Sequence, residues 1–351
     1  MIFGEVPLDQ ALGAILAHSV MEGVGRLRKG VVLGQDELSH LRAAGVARVM
    51  VARLEPGDLA EDVAATQLAQ ALVPDPVAAH LSLTPAFTGR VNLNAVGPGV
   101  VDLDVTAIHA LNAVDPSITL ATLAPLTRVE AGLLVGTVKI ISYAVTKAAF
   151  AQAAELARAA LRVRPVVLPD ASLILTEVPG LPAKLALKGR AAVEGRLRAL
   201  GMRLADCVTV PHDEASIAQA LAGARGAMVL ILTGSATSDL YDTAPQALRR
   251  AGGCVARFGM PVDPGNLLFH GTLGPRPVIG LPGCARSPAL NGADWVLERL
   301  ACGLALTDAD IAQMGVGGLL KEIPIRPQPR EGRGMILTGS DPVPKGGGAE
   351  T

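Results

Sequence analysis

Aromatic residues make up only 2% of this 351-residue chain, which has one Trp, two Tyr and five Phe. Few rings are therefore on hand for stacking exposed bases. Charge of one sign is missing as well: 31 Lys and Arg face 32 Asp and Glu, and no run of five basic residues occurs. Together these absences exclude the electrostatic footprint of a nucleic-acid binder. The four cysteines (Cys207, Cys254, Cys284, Cys302) form no CxxC pair and the six histidines show no HxxxH spacing, so no structural zinc site is expected. Long apolar runs are lacking too. The longest, 133–145, is too short to span a bilayer and contains Lys139. Glu5 and Asp9 stand where a secretory signal would carry positive charge. The expectation is a soluble, cytoplasmic protein with neither nucleic acid nor membrane as partner. A GxSxG nucleophile elbow and a GxxxxGK[ST] phosphate loop are absent, and the glycine pairs near 23–30 and 315–318 lack a strand–turn–helix setting for a dinucleotide.

What is present is a chain that is 50% hydrophobic, mainly Ala, Leu and Val, with the composition of packed α/β layers. Residues 1–60 read as a small α+β unit: a short helix over PLDQALGAILAH, a helix opened by Gln35-Asp36 and stopped by Gly45, then the strand VARVMVARL. Residues 61–165 read as a β-rich region with a linking helix. AEDVAATQLAQAL is helical, GRVNLNAVGPGVVDLDVTAI reads as a hairpin around GPG, and two or three further strands follow. The Ala-rich stretch 146–164 reads as one long helix with Thr146 as cap and Pro165 as stop. Residues 166–303 alternate strand and helix, the pattern of an α/β domain with a three-layer, mostly parallel sheet. In it Ser287 caps the last helix and Pro288 takes its first position. Residues 304–351 are a Pro/Gly-rich extension.

Chemistry is expected where three turns leave apolar runs in this last region. TGSATSDLYD (Thr233–Asp242) puts a glycine beside small and hydroxyl residues and ends on Asp239 and Asp242. A plain helix-capping loop explains it equally well. PVDPGN (Pro261–Asn266) is a Pro-Gly turn, for which a simple β-turn suffices. LPGCARSP delivers Pro282-Gly283 into a helical start whose free N–H groups suit an anion, with Arg286 to pair a phosphate. An ordinary connection with an exposed arginine is the bland alternative.

In this order and spacing the turns resemble the molybdopterin-binding domain family of molybdenum-cofactor biosynthesis (MoeA/MogA-like), in a divergent insertase-like form. GSATSDLYD at 234–242 is similar to the family's GGxSxGxxD-like loop, with Asp242 on its aspartate. PGNL at 264–267 is similar to a PGKP-like turn, LPGCARS at 281–287 to an LPGNP-like turn, and LILTEVPG at 173–180 to the family's first strand end. RLRKGVVLGQDELSHLRAAGVARVMV resembles a segment near the insertase N-terminus. The sequence departs at Ser235, Asn266, Leu267, Cys284 and Ala285. The tail lacks the Gly-rich start of the nucleotidyltransferase domain that follows in some members, so the chain is expected to be the binding half alone.

The resemblance implies a ligand across the strand ends: molybdopterin or its adenylylated form, with Mg2+ or molybdate as possible companions and no resident metal set. Thr176, Gly234, Ser235, Thr237, Ser238 and Asp239 would line one side, with Pro264 and Gly265 in the second turn. Pro282, Gly283, Cys284, Arg286 and Ser287 would hold the phosphate, and Lys188, in the loop after the first strand, would add charge. Asp242 is the candidate catalytic group. The implied partners are a molybdoenzyme or a nucleotidyltransferase, and a second copy of the chain in a homo-oligomer. Three readings stay open: a binding protein for cofactor synthesis, insertion or delivery; a nucleotide pyrophosphatase of the same fold; and a non-enzymatic sensor or chaperone. Loss of the PGKP lysine favours binding over turnover.

Overall fold

The computed structural model describes residues 1–22, 25–180 and 182–320 of a mixed α/β fold. Most of the Pro/Gly-rich stretch, residues 321–351, lies outside them. Near the start, Ile2–Pro7 and Ile15–Leu16 flank Arg48–Arg53 in an antiparallel sheet. Helix Gln35–Ala43 packs Leu38 and Leu41 against Leu16, Val49 and Val51. The helix expected over PLDQALGAILAH is corrected to one 3-10 turn, Leu8–Gln10, because Gly13 turns left-handed (φ 73°) and Ile15–Leu16 joins the sheet.

A second core gathers helices Glu61–Leu72, Val105–Asn112 and Lys147–Leu156 around short antiparallel sheets. Two expectations fail here for stated reasons. The runs on either side of GPG do not pair: Arg90–Ala95 lies in a four-stranded sheet, and Gly99–Leu103 pairs with Leu161–Pro165. Asp104 then ends the second run by accepting from the Ala107 N–H, which caps helix Val105–Asn112. The long Ala-rich helix stops at Leu156. Beyond it, Leu161 and Val163 alternate inward while Arg162 and Arg164 share the Asp102 carboxylate of the neighbouring strand, so strand pairing wins.

Residues 170–301 build a six-stranded sheet from β1 (Asp170–Glu177), β2 (Arg203–Pro211), β3 (Met228–Leu232), β4 (Cys254–Phe258), β5 (Phe269–Leu273) and β6 (Arg276–Leu281). The order is β2-β1-β3-β6-β5-β4, parallel from β2 to β6 and antiparallel at β5 and β4. The antiparallel edge is an addition to the sequence reading. All five residues of β3, MVLIL, are buried, as a central strand covered on both faces requires. Period-two alternation sends Leu173, Leu175, Leu230, Leu232, Ile279 and Leu281 into one cluster with α1 (Ala183–Ala199) and α4 (Gly292–Ala301). Ile174, Val229, Ile231 and Val278 enter another with α2 (Glu214–Gly223) and α3 (Thr243–Arg250). Each leucine-sized side chain so buried contributes about 1.5–3 kcal/mol of transfer free energy. A short helix, α5 (Asp308–Gln313), follows.

Register fixes which turns share an end. Glu177 pairs with Pro211, Leu175 with Leu232, Leu232 with Leu281, Gly280 with Phe269, and Phe269 with Phe258. The connections after β1, β2, β3, β4 and β6 therefore all emerge at one edge. In an α/β sheet this edge is where ligands bind.

Candidate functional site

The first turn is held to β1 through a threonine. Thr176, 4% exposed, accepts from the Gly234 N–H at 2.7 Å, and its hydroxyl lies 2.8 Å from His212 Nδ1 at the end of β2. Three strand ends are thus tied by one hydroxyl. A Cβ on Gly234 would stand 2.7 Å from the Thr176 carbonyl oxygen, so only glycine allows this approach.

Beyond Gly234 the loop folds on its own carboxylates. The two Asp242 oxygens accept from the Ser238 and Thr243 N–H groups at 2.9 and 2.7 Å, and Asp242 is the cap of α3. Burial pushes its pKa up, but the hydrogen bonds from Ser238 and Thr243 outweigh it and hold the group below the usual carboxylate value. Asp239 accepts from the Tyr241 N–H at 2.7 Å. Thr237 is buried, whereas Ser235, Ser238 and Asp239 face solvent.

The second turn packs under the third. The Pro264 carbonyl accepts from the Gly292 N–H at 2.9 Å. Gly265 is left-handed (φ 144°), and a Cβ there would meet the Gly292 N at 2.7 Å. Asn266 donates from its amide to the Met260 carbonyl at 3.3 Å.

The third turn departs from expectation. Pro282 opens a 3-10 turn, Gly283–Arg286, in which the Ala285 N–H donates to Pro282 O and the Ser287 N–H to Cys284 O. The α-helix begins only at Gly292. Asn291 is its cap, and Ser287 is not, because Asn291 and Asp294 form a reciprocal capping box. Residues 287–290 run over the surface to reach it. Arg286 is half-buried, its pKa lowered by that burial, and its guanidinium donates to the Thr233 carbonyl, linking the third turn to the first. Cys284 is exposed at the residue level, while partial burial of its thiol raises the pKa above the usual value.

Lys188 is corrected outright. It lies exposed in the second turn of α1 rather than in a loop, since that helix starts at Ala183. Thr176, Leu232, Pro182, Ala186 and Arg286 enclose a cleft of only about 20 Å3 between the first and third turns, which is room for one water.

Three residues escaped the sequence reading. His212 was hidden by being a single histidine after a strand. Asn291 sat inside what read as a helix. Arg196, 8% exposed, reaches from α1 to donate to Asp294 Oδ1 (2.6 Å) and to the carbonyls of Ala285, Ser287 and Ala289 at 2.8, 2.9 and 3.1 Å. It anchors the third turn. Its only sequence signal was a charge beside Val193 and Leu197 on an apolar helix face.

Comparisons with known proteins bear on the same segment. A family model described as a probable molybdopterin binding domain matches residues 187–301. A domain of unknown function (DUF8806) matches residues 5–53. No curated protein matches the chain. Among solved structures, the molybdopterin biosynthesis moea protein from Pyrococcus horikosii is 15% identical with a TM-score of 0.31, covering 86% of this chain and 75% of that one. A molybdenum cofactor biosynthesis protein from Pyrococcus furiosus is 13% identical with a TM-score of 0.24, covering 89% of this chain and 65% of that one. The segment that matches the model of a probable molybdopterin binding domain, residues 187–301, is the one that holds all three turns.

Proposed function

We propose that the chain binds molybdopterin or its adenylylated form and serves the synthesis, insertion or delivery of the molybdenum cofactor. The observation that carries this is a coincidence: the residues matching the molybdopterin-binding model include all three turns, and strand register brings those turns to one sheet edge. We read the sheet with its two helix-lined clusters as the three-layer domain, over 166–303, that presents them.

Gly283 lets backbone approach the ligand, Gly234 seats the first turn against β1, and Ser235, Ser238 and the exposed face of the Gly283–Arg286 turn offer hydrogen bonds to the ligand. Asp239 and Asp242 already spend oxygens on N–H groups of their own loop, which favours a framework role for both. Binding therefore stands ahead of pyrophosphate hydrolysis, which would call on those carboxylates for metal. We carry the cytoplasmic location, the homo-oligomer and a molybdoenzyme or nucleotidyltransferase partner as consequences of the same reading.

Calorimetric titration with molybdopterin and with its adenylylated form tests the proposal. Saturable binding of either at micromolar protein is expected, and absence of heat and of any fluorescence change with both overturns it. Adding molybdate to the bound adenylylated form then separates roles: a carrier or sensor leaves it intact, and an insertase releases AMP.

A further inference from the structure

A cavity of about 640 Å3 lies between the 124–127 loop of the β-rich region and the outer face of α4, walled further by residues 304–317. None of the three turns lines it. Its volume falls in the range of small-molecule sites. Trp295, the one tryptophan in the chain, forms part of the wall. Arg299 holds its guanidinium carbon 6.0 Å from the indole centroid.

The guanidinium is poorly satisfied. Its hydrogen bond runs to the Met314 thioether, 3.2 Å away, a weak acceptor for a group with five N–H donors. Glu298 and Asp310 attract the guanidinium through space, but each carboxylate also has other partners. Asp310 accepts from the Thr307 N–H and hydroxyl at 2.8 and 2.6 Å, and Glu298 faces Arg128 at 3.7 Å. A part-buried cation whose hydrogen bond among the described residues goes to a thioether, beside an aromatic ring in a cavity of this size, has N–H donors to offer a further acceptor.

We propose that this cavity is a second ligand site, specific for a small molecule that joins a planar aromatic ring to a carboxylate. The ring packs on Trp295 and the carboxylate takes the planar fork of Arg299. Six ångströms separate the two protein groups, so ring and anion belong to one compact molecule. The inference does not depend on what the strand-end turns bind.

The test uses the full chain and 2-naphthoate as probe, with 2-naphthalenemethanol (ring without charge) and acetate (charge without ring) as controls. Binding is followed by calorimetry and by quenching of Trp295 fluorescence. Naphthoate is expected to saturate the protein and quench, and each control to bind at least about tenfold more weakly. Arg299→Met keeps the aliphatic stem and should lose the naphthoate preference. Val316→Trp, at a position 97% exposed on the cavity rim, should block binding without touching the core. No binding of naphthoate, equal binding of the alcohol, or undiminished binding in both variants overturns the proposal.

Discussion

Asp242 shows how one carboxylate can be read as a catalyst in sequence and as a cap in structure. Its oxygens close the loop at Ser238 and start α3 at Thr243. Asp242→Ala should therefore cost about 1 kcal/mol of stability, as a lost cap does, with ligand affinity falling less than about tenfold. Urea unfolding and titration of the same variant check both halves, and a stable variant that no longer binds would restore the chemical role. Glu298 makes the opposite kind of prediction. Burial raises its pKa to about 7, while Arg128 acts to lower it and Asp294 to raise it. Between its ordinary value of 4.5 and about 7 the folded chain holds a proton that the unfolded chain has released. Stability from this group therefore falls as pH rises through that window. Glu298→Gln removes the penalty: at pH near 8 it should be more stable than the parent by on the order of 1–3 kcal/mol, and near pH 4 the difference should vanish. A variant less stable at the higher pH would show that the Arg128 pair outweighs burial.

At the scale of elements, the third turn depends on α1. Arg196 joins that helix to Ala285, Ser287 and Ala289 and neutralises buried Asp294. Arg196→Met leaves the carboxylate buried without its cation and should destabilise the fold by about 3–5 kcal/mol. Arg196→Lys should recover part of the stability but not the fork of carbonyl contacts, so ligand affinity stays reduced. Thermal unfolding with titration of both variants separates the two effects. The same element explains what could be read in advance. The three turns were legible because Gly, Pro and small polar residues at the ends of apolar runs are local signals, as were β3 and the caps Thr146, Asp213 and Asp242. Arg196 was not, because its partners lie 89 to 98 residues away. Helix length in the Ala-rich segment failed for a related reason: Arg162 and Arg164 are paired by Asp102, 60 and 62 residues distant, and local propensity carries no trace of it. The pair Arg90–Ala95 and Gly99–Leu103 reads as a hairpin locally, and only the competing partner Leu161–Pro165 undoes it.

At the scale of the molecule, the strand-end site is a property of the six-stranded sheet, and the two cores before it supply a platform. The β-rich region touches the sheet domain through Arg128 on Glu298 and through the Pro98 carbonyl, which accepts from the Val166 N–H at 3.1 Å. Neither contact involves a residue of the three turns. A piece spanning 166–320 should therefore fold cooperatively and keep its affinity for molybdopterin within about threefold, as a domain with its own core does. Circular dichroism and calorimetry on that piece check it, and loss of binding by a folded piece would place part of the site in the first 165 residues.

The most direct measurement compares molybdopterin binding by the parent chain and by Gly283→Trp. A Cβ at Gly283 would come no nearer than 3.6 Å to Arg286, so the fold should accept the substitution while the indole covers the third turn. The account predicts saturable binding by the parent and a loss of at least about tenfold, roughly 1.4 kcal/mol, in a variant whose melting temperature is unchanged. Equal affinity in the two proteins, or no binding by the parent, would contradict it.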